Sequence, residues 1–369
     1  MTKRWLTGLI LSATLATTAR ADIKIGVIAP LTGPNASFGA QLKNGTEQAA
    51  DDINTAGGIN GQKIKLIFGD DASEASQGVS VANQFVGEGV TFVIGAFNSG
   101  VTMPASEVLA ENNILEITPG STNPQITERG FWNIFRTCGR DDQQGAVAAT
   151  YIINKLKGQK IAIVHDKTPY GKGLADETKK AINASGITEV MYEGVNAGEK
   201  DFSAIVSKIK STGAAVVYWG GVFTEGGFLV RQMKDAAVAA VLMGGDGIAT
   251  DEFAQVAGPG AEGTLMTFAP DPQKRPEAAP VLAKFAARKF KPESYTLYSY
   301  AALEIIKQAA ANAKSLDPKL VAAEMHKGVP YKTVIGDIAY DAKGDITRPD
   351  YVMYTWVKDA DGKITFVQQ

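Results

Sequence analysis

The chain has one cysteine and two histidines in 369 residues. With Cys138 alone, no disulfide can form within the molecule, and a buried, small apolar side chain is the expected role of that residue. His165 and His326 leave little material for imidazole catalysis or a histidine-rich metal site. Basic residues do not outnumber acidic ones, since the formal net charge is −2, so nothing marks a nucleic-acid-binding surface. After the first 21 residues no segment is long and apolar enough to span a bilayer.

Those first residues, "MTKRWLTGLILSATLATTARA", have a basic start, an apolar middle and Ala19-Arg20-Ala21 at the end. This is the plan of a secretory signal peptide cleaved after Ala21. Its apolar run is broken by Thr and Ser and falls short of the roughly 20 residues of a membrane anchor. Removal takes 21 of 369 residues and three basic side chains, Lys3, Arg4 and Arg20; 34 basic against 39 acidic groups then give −5. A mature chain of this length is expected to form two domains, and 45% apolar residues suffice for two cores.

What is abundant is alternation. Short β-branched runs, "IKIGVIA" (23–29), "IKLIF" (64–68), "TFVIG" (91–95), "ILEIT" (114–118), "KIAIVH" (160–165), "AAVVYWG" (214–220) and "TLMTF" (264–268), are separated by helix-compatible segments. That predicts an α/β fold with doubly wound, mostly parallel sheets. The pattern then changes: helices are expected in "YTLYSYAALEIIKQAAANAK" and "PKLVAAEMHKG", and strands in "YKTVIG", "DIAYD" and "DYVMYTWVK". An approximate internal repeat accompanies the alternation. "IKIGVIAPLTGPNASFGAQLKNG" and "QKIAIVHDKTPYGKGLADETKKA" share strand, Pro-bearing loop, aromatic-Gly and helix, with Phe38-Gly39 matching Tyr170-Gly171. Two similar lobes would face each other across a cleft at the carboxyl ends of their strands.

Two loops after strands, "GAFNSGVT" and "ITPGSTNPQ", place Ser99, Gly120, Ser121 and Thr122 where hydroxyls and backbone N–H groups can meet an anion at a helix start. The same residue types serve as ordinary N-caps, so the loops alone leave both readings open. "LMGGDGIAT" sets Asp246 among three glycines, as an acid for an ammonium or simply as an Asp-Gly turn. Phe38, Tyr170, Phe223 and Tyr295 could wall a ligand side chain, or belong to the core. Three other signals are weak. "GPGAEG" (258–263) precedes a strand and does not open a helix, Asp70-Asp71 lacks EF-hand spacing, and His165-Asp166 has no nucleophile elbow.

Taken together, "DIKIGVIAPLTGPNASFG", "KNGTEQAADDINTAGGINGQKI", "PASEVLAENNILEITPGSTNP", "FRTCGRDDQQG", "IAIVHDKTPYGKGLA", "GEKDFSA" and "GGDG" give the whole mature chain a close resemblance to the branched-chain amino-acid-binding proteins of bacterial ABC transporters. The resemblance implies a type I periplasmic binding protein: two doubly wound Rossmann-like lobes joined by three crossover segments. Their expected extents are 22–140 with 270–349, and 141–269 with 350–369. It further implies a periplasmic monomer that closes on an aliphatic L-amino acid, Leu, Ile or Val first, and delivers it to a membrane permease. Proline, alanine or γ-aminobutyrate are alternative ligands, and a sensory role is an alternative to transport. No cofactor, metal or enzymatic activity is expected.

Carried over by position, Ser99 and Thr122 match the family's carboxylate-binding hydroxyls, and Gly120 and Ser121 its main-chain partners. Asp246 matches the ammonium acceptor, usually Glu. Tyr170 matches the aromatic brought over by the second lobe, while Phe38 and Tyr295 match wall aromatics. Val222, with Phe223 beside it, stands where Tyr is common, which implies a reshaped side-chain pocket. Ser73 and Asn98 stand where members often have a disulfide.

Overall fold

The structure is a computed structural model that describes residues 21–348 and 351–369. The first 20 of the 21 residues of the expected signal peptide, and the expected lobe boundary at 349/350, lie outside the described residues. Two sheets form the frame. The first contains β1 (Ile23–Ala29), β2 (Ile64–Asp70), β3 (Phe92–Ile94), β4 (Leu115–Thr118) and β5 (Ile134–Arg136), all parallel, in the order β2-β1-β3-β4-β5.

The second sheet contains β6 (Ile161–His165), β7 (Met191–Gly194), β8 (Val216–Gly220), β9 (Val241–Gly244), β10 (Leu265–Phe268), β11 (Val352–Lys358) and β12 (Ile364–Gln368). Their order is β12-β11-β10-β9-β8-β6-β7, and only β11 and β12 run antiparallel to their neighbours. In both sheets the order turns back on itself after the first strand, which places loops from neighbouring strands on either side of a crevice at their carboxyl ends.

Local chemistry sets the element ends. Thr168 caps the helix Pro169–Ala184 by accepting the Gly171 N–H at 2.9 Å, with proline in the first turn where its missing N–H costs nothing. Asp317 does the same for Pro318–Met325. The helices Ala75–Glu88 and Ser203–Thr212 end on left-handed Gly89 and Gly213.

Late segments return to both lobes. The helix Thr296–Ala313 packs along Ala36–Thr55, and Tyr295 N–H donates to Gln41 Oε1 at 2.8 Å, fastening this segment to the first lobe. The chain then crosses back to add β11 and β12 to the second sheet. The core is continuous across the junction, where the Phe38 and Phe223 rings meet edge to face at 5.5 Å.

The strands expected at "YKTVIG" and "DIAYD" do not form. Only isolated bridges, Tyr331 to Ile338 and Tyr340 to Ile346, occur there. Gly336 and Gly344 at φ +89° and +93° turn the chain too soon for a ladder to extend. Conversely, β5, β7, β9 and β12 arise from stretches not read as strands. β5, β7 and β12 lie at sheet edges, where a few paired residues suffice, whereas β9 is a four-residue strand held between β8 and β10.

Candidate ligand-binding cleft

A small cavity lies between the two lobes, walled by Phe97, Asn98, Ser99 and Gly120 with Tyr295 on one side, and Tyr170, Val222, Asp246 and Gly247 on the other. Six of the ten residues expected from sequence therefore line it: Ser99, Gly120, Tyr170, Val222, Asp246 and Tyr295. Phe38, Ser121, Thr122 and Phe223 stand behind this wall.

On the first-lobe side the chain leaves β3 and enters the helix Ser99–Glu111, with Asn98 in the N-cap position and making no capping bond through its side chain. Ser99 is thus the first helical residue and not the cap. Its Oγ accepts the Asn123 N–H at 3.2 Å, which ties the two wall loops together. Gly120 is required by close approach, because a Cβ there would lie 2.6 Å from the Phe97 ring. Ser121 is committed internally: its hydroxyl contacts Ala96 O, Phe97 O and Thr102 Oγ1, and its N–H donates to Thr118 Oγ1 at 3.0 Å. Thr122 differs. Its Oγ1 faces the Asp141 carboxylate without a well-formed hydrogen bond, and its N–H has no acceptor among the described residues.

Across the cavity, Asp246 is 2% exposed and forms no ion pair among the described residues. Its Oδ1 accepts from Tyr170 Oη at 2.8 Å and from Gln144 Nε2 at 3.0 Å. The Tyr170 hydroxyl in turn accepts the Gly247 N–H at 2.8 Å. A Cβ on Gly247 would meet Gly221 O at 2.7 Å and the Tyr170 ring at 2.8 Å, so glycine is what lets phenol and turn approach this closely. Gln144 is held by the Asp246 N–H and Thr267 Oγ1 on its Oε1, and its Nε2 also reaches Asp141 Oδ1 at 3.2 Å.

Burial pushes the Asp246 carboxyl above the ordinary carboxylate range, with the Gln144 and Tyr170 hydrogen bonds opposing it. Asp141, fully buried, is pushed well above that range by burial and then by the charge of Asp246. Two buried acids therefore share one amide, an arrangement that an entering cation relieves.

The aromatic wall is layered. Phe97 stacks on Phe38 with centroids 4.1 Å apart, and Tyr295 meets both rings edge on. Tyr295 Oη also spans the cleft to Asp246 O at 3.4 Å. Phe38 is thus backing for Phe97 and not itself a wall residue. Phe97, Gly247, Gln144 and Asp141 carry no mark in the sequence reading, and Asn98 enters it only as a position where family members often have a disulfide. Phe97 and Asn98 sit inside the loop that carried Ser99, whereas Gln144 and Asp141 lie at a helix start with no local mark of their role.

The weaker signals resolve into turns. Asp70 Oδ1 accepts the N–H groups of Leu31, Thr32 and Ala72; Asp166 Oδ1 accepts both donors of Thr168; His165 Nδ1 accepts the Lys167 N–H. Gly258–Gly260 is a short 3₁₀ turn ahead of β10. Cys138 is buried and unpaired, and burial pushes its thiol far up. Ser73 and Asn98 both line a groove at the cleft mouth, where Ser73 Oγ accepts from Asn35 Nδ2 at 2.9 Å. No group of three or more His, Cys, Asp or Glu suited to a metal ion occurs among the described residues.

Two α/β lobes, a return of the chain to both, and a small cavity between their strand ends define a two-lobed ligand-capturing protein. Residues 22–363 match the family described as periplasmic binding protein. The chain is 56% identical over 371 aligned residues to a Leu/Ile/Val-binding protein homolog of Brucella melitensis, with all of each chain covered. It is 52% identical to an amino acid binding protein of Pseudomonas aeruginosa, covering 95% of this chain and 93% of that one. Among solved structures, a leucine-binding protein of Thermotoga maritima superposes with a TM-score of 0.85 at 25% identity, covering 94% and 97%. A branched-chain amino acid transporter substrate-binding protein of Streptococcus pneumoniae, in complex with isoleucine, gives 0.83 at 26%, covering 94% and 100%. The chain belongs to the periplasmic binding protein family.

Proposed function

We propose that this protein captures an aliphatic L-amino acid, Leu, Ile or Val, between its lobes and delivers it to the permease of an ABC transporter. The observation that carries this reading is Asp246: a carboxylate 2% exposed, fixed by two hydrogen-bond donors and facing a small inter-lobe cavity, with no ion-pair partner among the described residues. A ligand ammonium supplies the missing charge, and a ligand carboxylate meets Ser99 Oγ, with the unused N–H of Thr122 behind it, on the first-lobe side. The similarity to Leu/Ile/Val-binding homologues and to an isoleucine-bound structure supports the same ligand class.

In this reading the lobes comprise 22–140 with 270–349, and 141–269 with 350–369, and they hinge on three crossovers. The ligand favours closure because Tyr170 and Asp246 on one lobe and Ser99 on the other touch it together only when the lobes meet. No bond is made or broken. The protein acts as an exported monomer, cleaved after Ala21, in the periplasm.

The modest cavity, with Phe97 and Tyr295 on its wall, favours a second reading in which a compact zwitterion such as alanine, proline or γ-aminobutyrate is the preferred ligand. A thermal-shift screen of the common amino acids and γ-aminobutyrate separates the two. A ligand at 100 times its dissociation constant adds about 2.7 kcal/mol of stability. Stabilisation by Leu, Ile and Val supports the first reading, stabilisation by the compact zwitterions alone supports the second, and no stabilisation by any of them overturns both.

A further inference from the structure

Behind the carboxylate side of the cavity lies a fully buried guanidinium, that of Arg136 at the end of β5. Its Nη1 donates to Ser121 O at 2.9 Å and Asn123 O at 3.2 Å, and its Nη2 to Thr127 Oγ1 at 2.7 Å. Its Nε donates to Asp345 Oδ1 at 2.6 Å. The other Asp345 oxygen takes Arg140 Nη1 at 2.6 Å. Asp345 is itself 4% exposed and accepts from Thr127 Oγ1 at 3.0 Å.

A trans peptide plane carries its C=O and its N–H in opposite directions. Drawing Ser121 O onto Arg136 therefore turns the N–H of Thr122 away from the guanidinium. The next plane is fixed in the opposite sense: Thr122 O accepts the Asp141 N–H at 2.9 Å, and the Asn123 N–H points to Ser99 Oγ at 3.2 Å. The result is a loop whose three carbonyls are all engaged within the protein, two on Arg136 and one on the Asp141 N–H. Its unused donor, the Thr122 N–H, is left for a ligand.

We propose that Arg136, anchored by Asp345, is a positioning residue that orients the 121–123 loop so that the Thr122 N–H can receive a ligand carboxylate. This rests on the amino-acid reading above and adds to it the group that sets up the anionic pole. Arg136 acts by direction and not by its net charge, because Asp345 sits against it. The same Asp345 holds Arg140, in the segment that leads into the second lobe, so the loop is registered to the crossover on which the lobes hinge. A lysine could not replace this arrangement, because a single ammonium cannot span two carbonyls, a hydroxyl and a carboxylate from one planar fork.

The test compares a ligand with and without its carboxylate charge. L-Valine and L-valinamide binding are measured by calorimetry for the wild type, Arg136→Lys and Asp345→Asn, with melts of the unliganded proteins to establish folding. The expected result is a loss of valine affinity of about tenfold or more in each folded variant, while valinamide affinity changes less than about twofold. A purely structural role would weaken both ligands alike. Should Arg136→Lys fail to fold, Asp345→Asn, which keeps the guanidinium but loosens its anchor, carries the comparison. An unchanged valine-to-valinamide ratio in the folded variants overturns the role of Arg136 and leaves the proposed function standing. A wild type that binds no amino acid at all overturns both.

Discussion

The two walls of the cleft solve opposite problems. On the first lobe, polar groups are nearly all spent on one another: Ser121 on three neighbours, Ser99 on Asn123 N–H, and three carbonyl or hydroxyl groups on Arg136. That wall is rigid and loses little when empty. On the second lobe, Asp246 and Asp141 are buried together without an ion pair among the described residues, tempered mainly by hydrogen bonds. That wall is costly until a cation arrives. On the proposed function, the contrast fits the two poles of a zwitterion and implies that the larger share of ligand-dependent stabilisation lies on the acid side.

Asp246→Ala is the harshest way to break the contrast, and the largest effect is expected from it. Losing one partner of a buried charge pair costs about 3 kcal/mol, roughly a hundredfold in affinity. Calorimetry finding an unaltered dissociation constant would remove Asp246 from the ammonium site. The melting temperature without ligand should stay level or rise, because an unpaired buried acid is gone.

Acidity offers a subtler probe. In the unliganded protein the Asp246 carboxyl is raised, so its folded value lies above its unfolded one. The unliganded fold is therefore favoured at low pH and loses that contribution as pH rises through the raised value. Ligand binding needs the ionised form and expels the proton. Affinity should thus fall as pH drops, starting above the ordinary carboxylate range and by at most about tenfold per unit for one proton. Calorimetry in buffers of different ionisation enthalpy should show proton release on binding; proton uptake would contradict the assignment.

The smallest expected effect belongs to Val222→Tyr, which tests the apolar part of the second wall. Extra volume in this small cavity should discriminate against Leu relative to Ala by about 1 kcal/mol, less than tenfold in affinity. An identical ligand profile would show that residue 222 does not bear on ligand size.

Sequence pattern reached the α/β frame because buried parallel strands such as Ile161–His165 are short unbroken apolar runs, and such runs are local. It failed at 331–341, where apolar residues pack without forming a ladder. At the cleft, Ser99 and Asp246 could be picked out because glycines beside them and the family resemblance both point there. Gln144 could not be. Its partners Asp246 and Thr267 lie 102 and 123 residues away, and nothing within its own helix signals either contact. Arg136 was hidden for the same reason, since Asp345 is 209 residues distant. Long-range polar contacts of this kind leave no periodic trace.

The burial of Cys138 has a practical side. Its thiol is unpaired, shielded and held in the protonated form, so thiol reagents have nothing to attack in the native protein. A cysteine introduced as Glu74→Cys, exposed at the rim and facing Gly198 and Glu225 of the other lobe, would be the single reactive thiol. A polarity-sensitive dye attached there would change its emission as the rims approach, turning the protein into an optical reporter of the metabolite it captures.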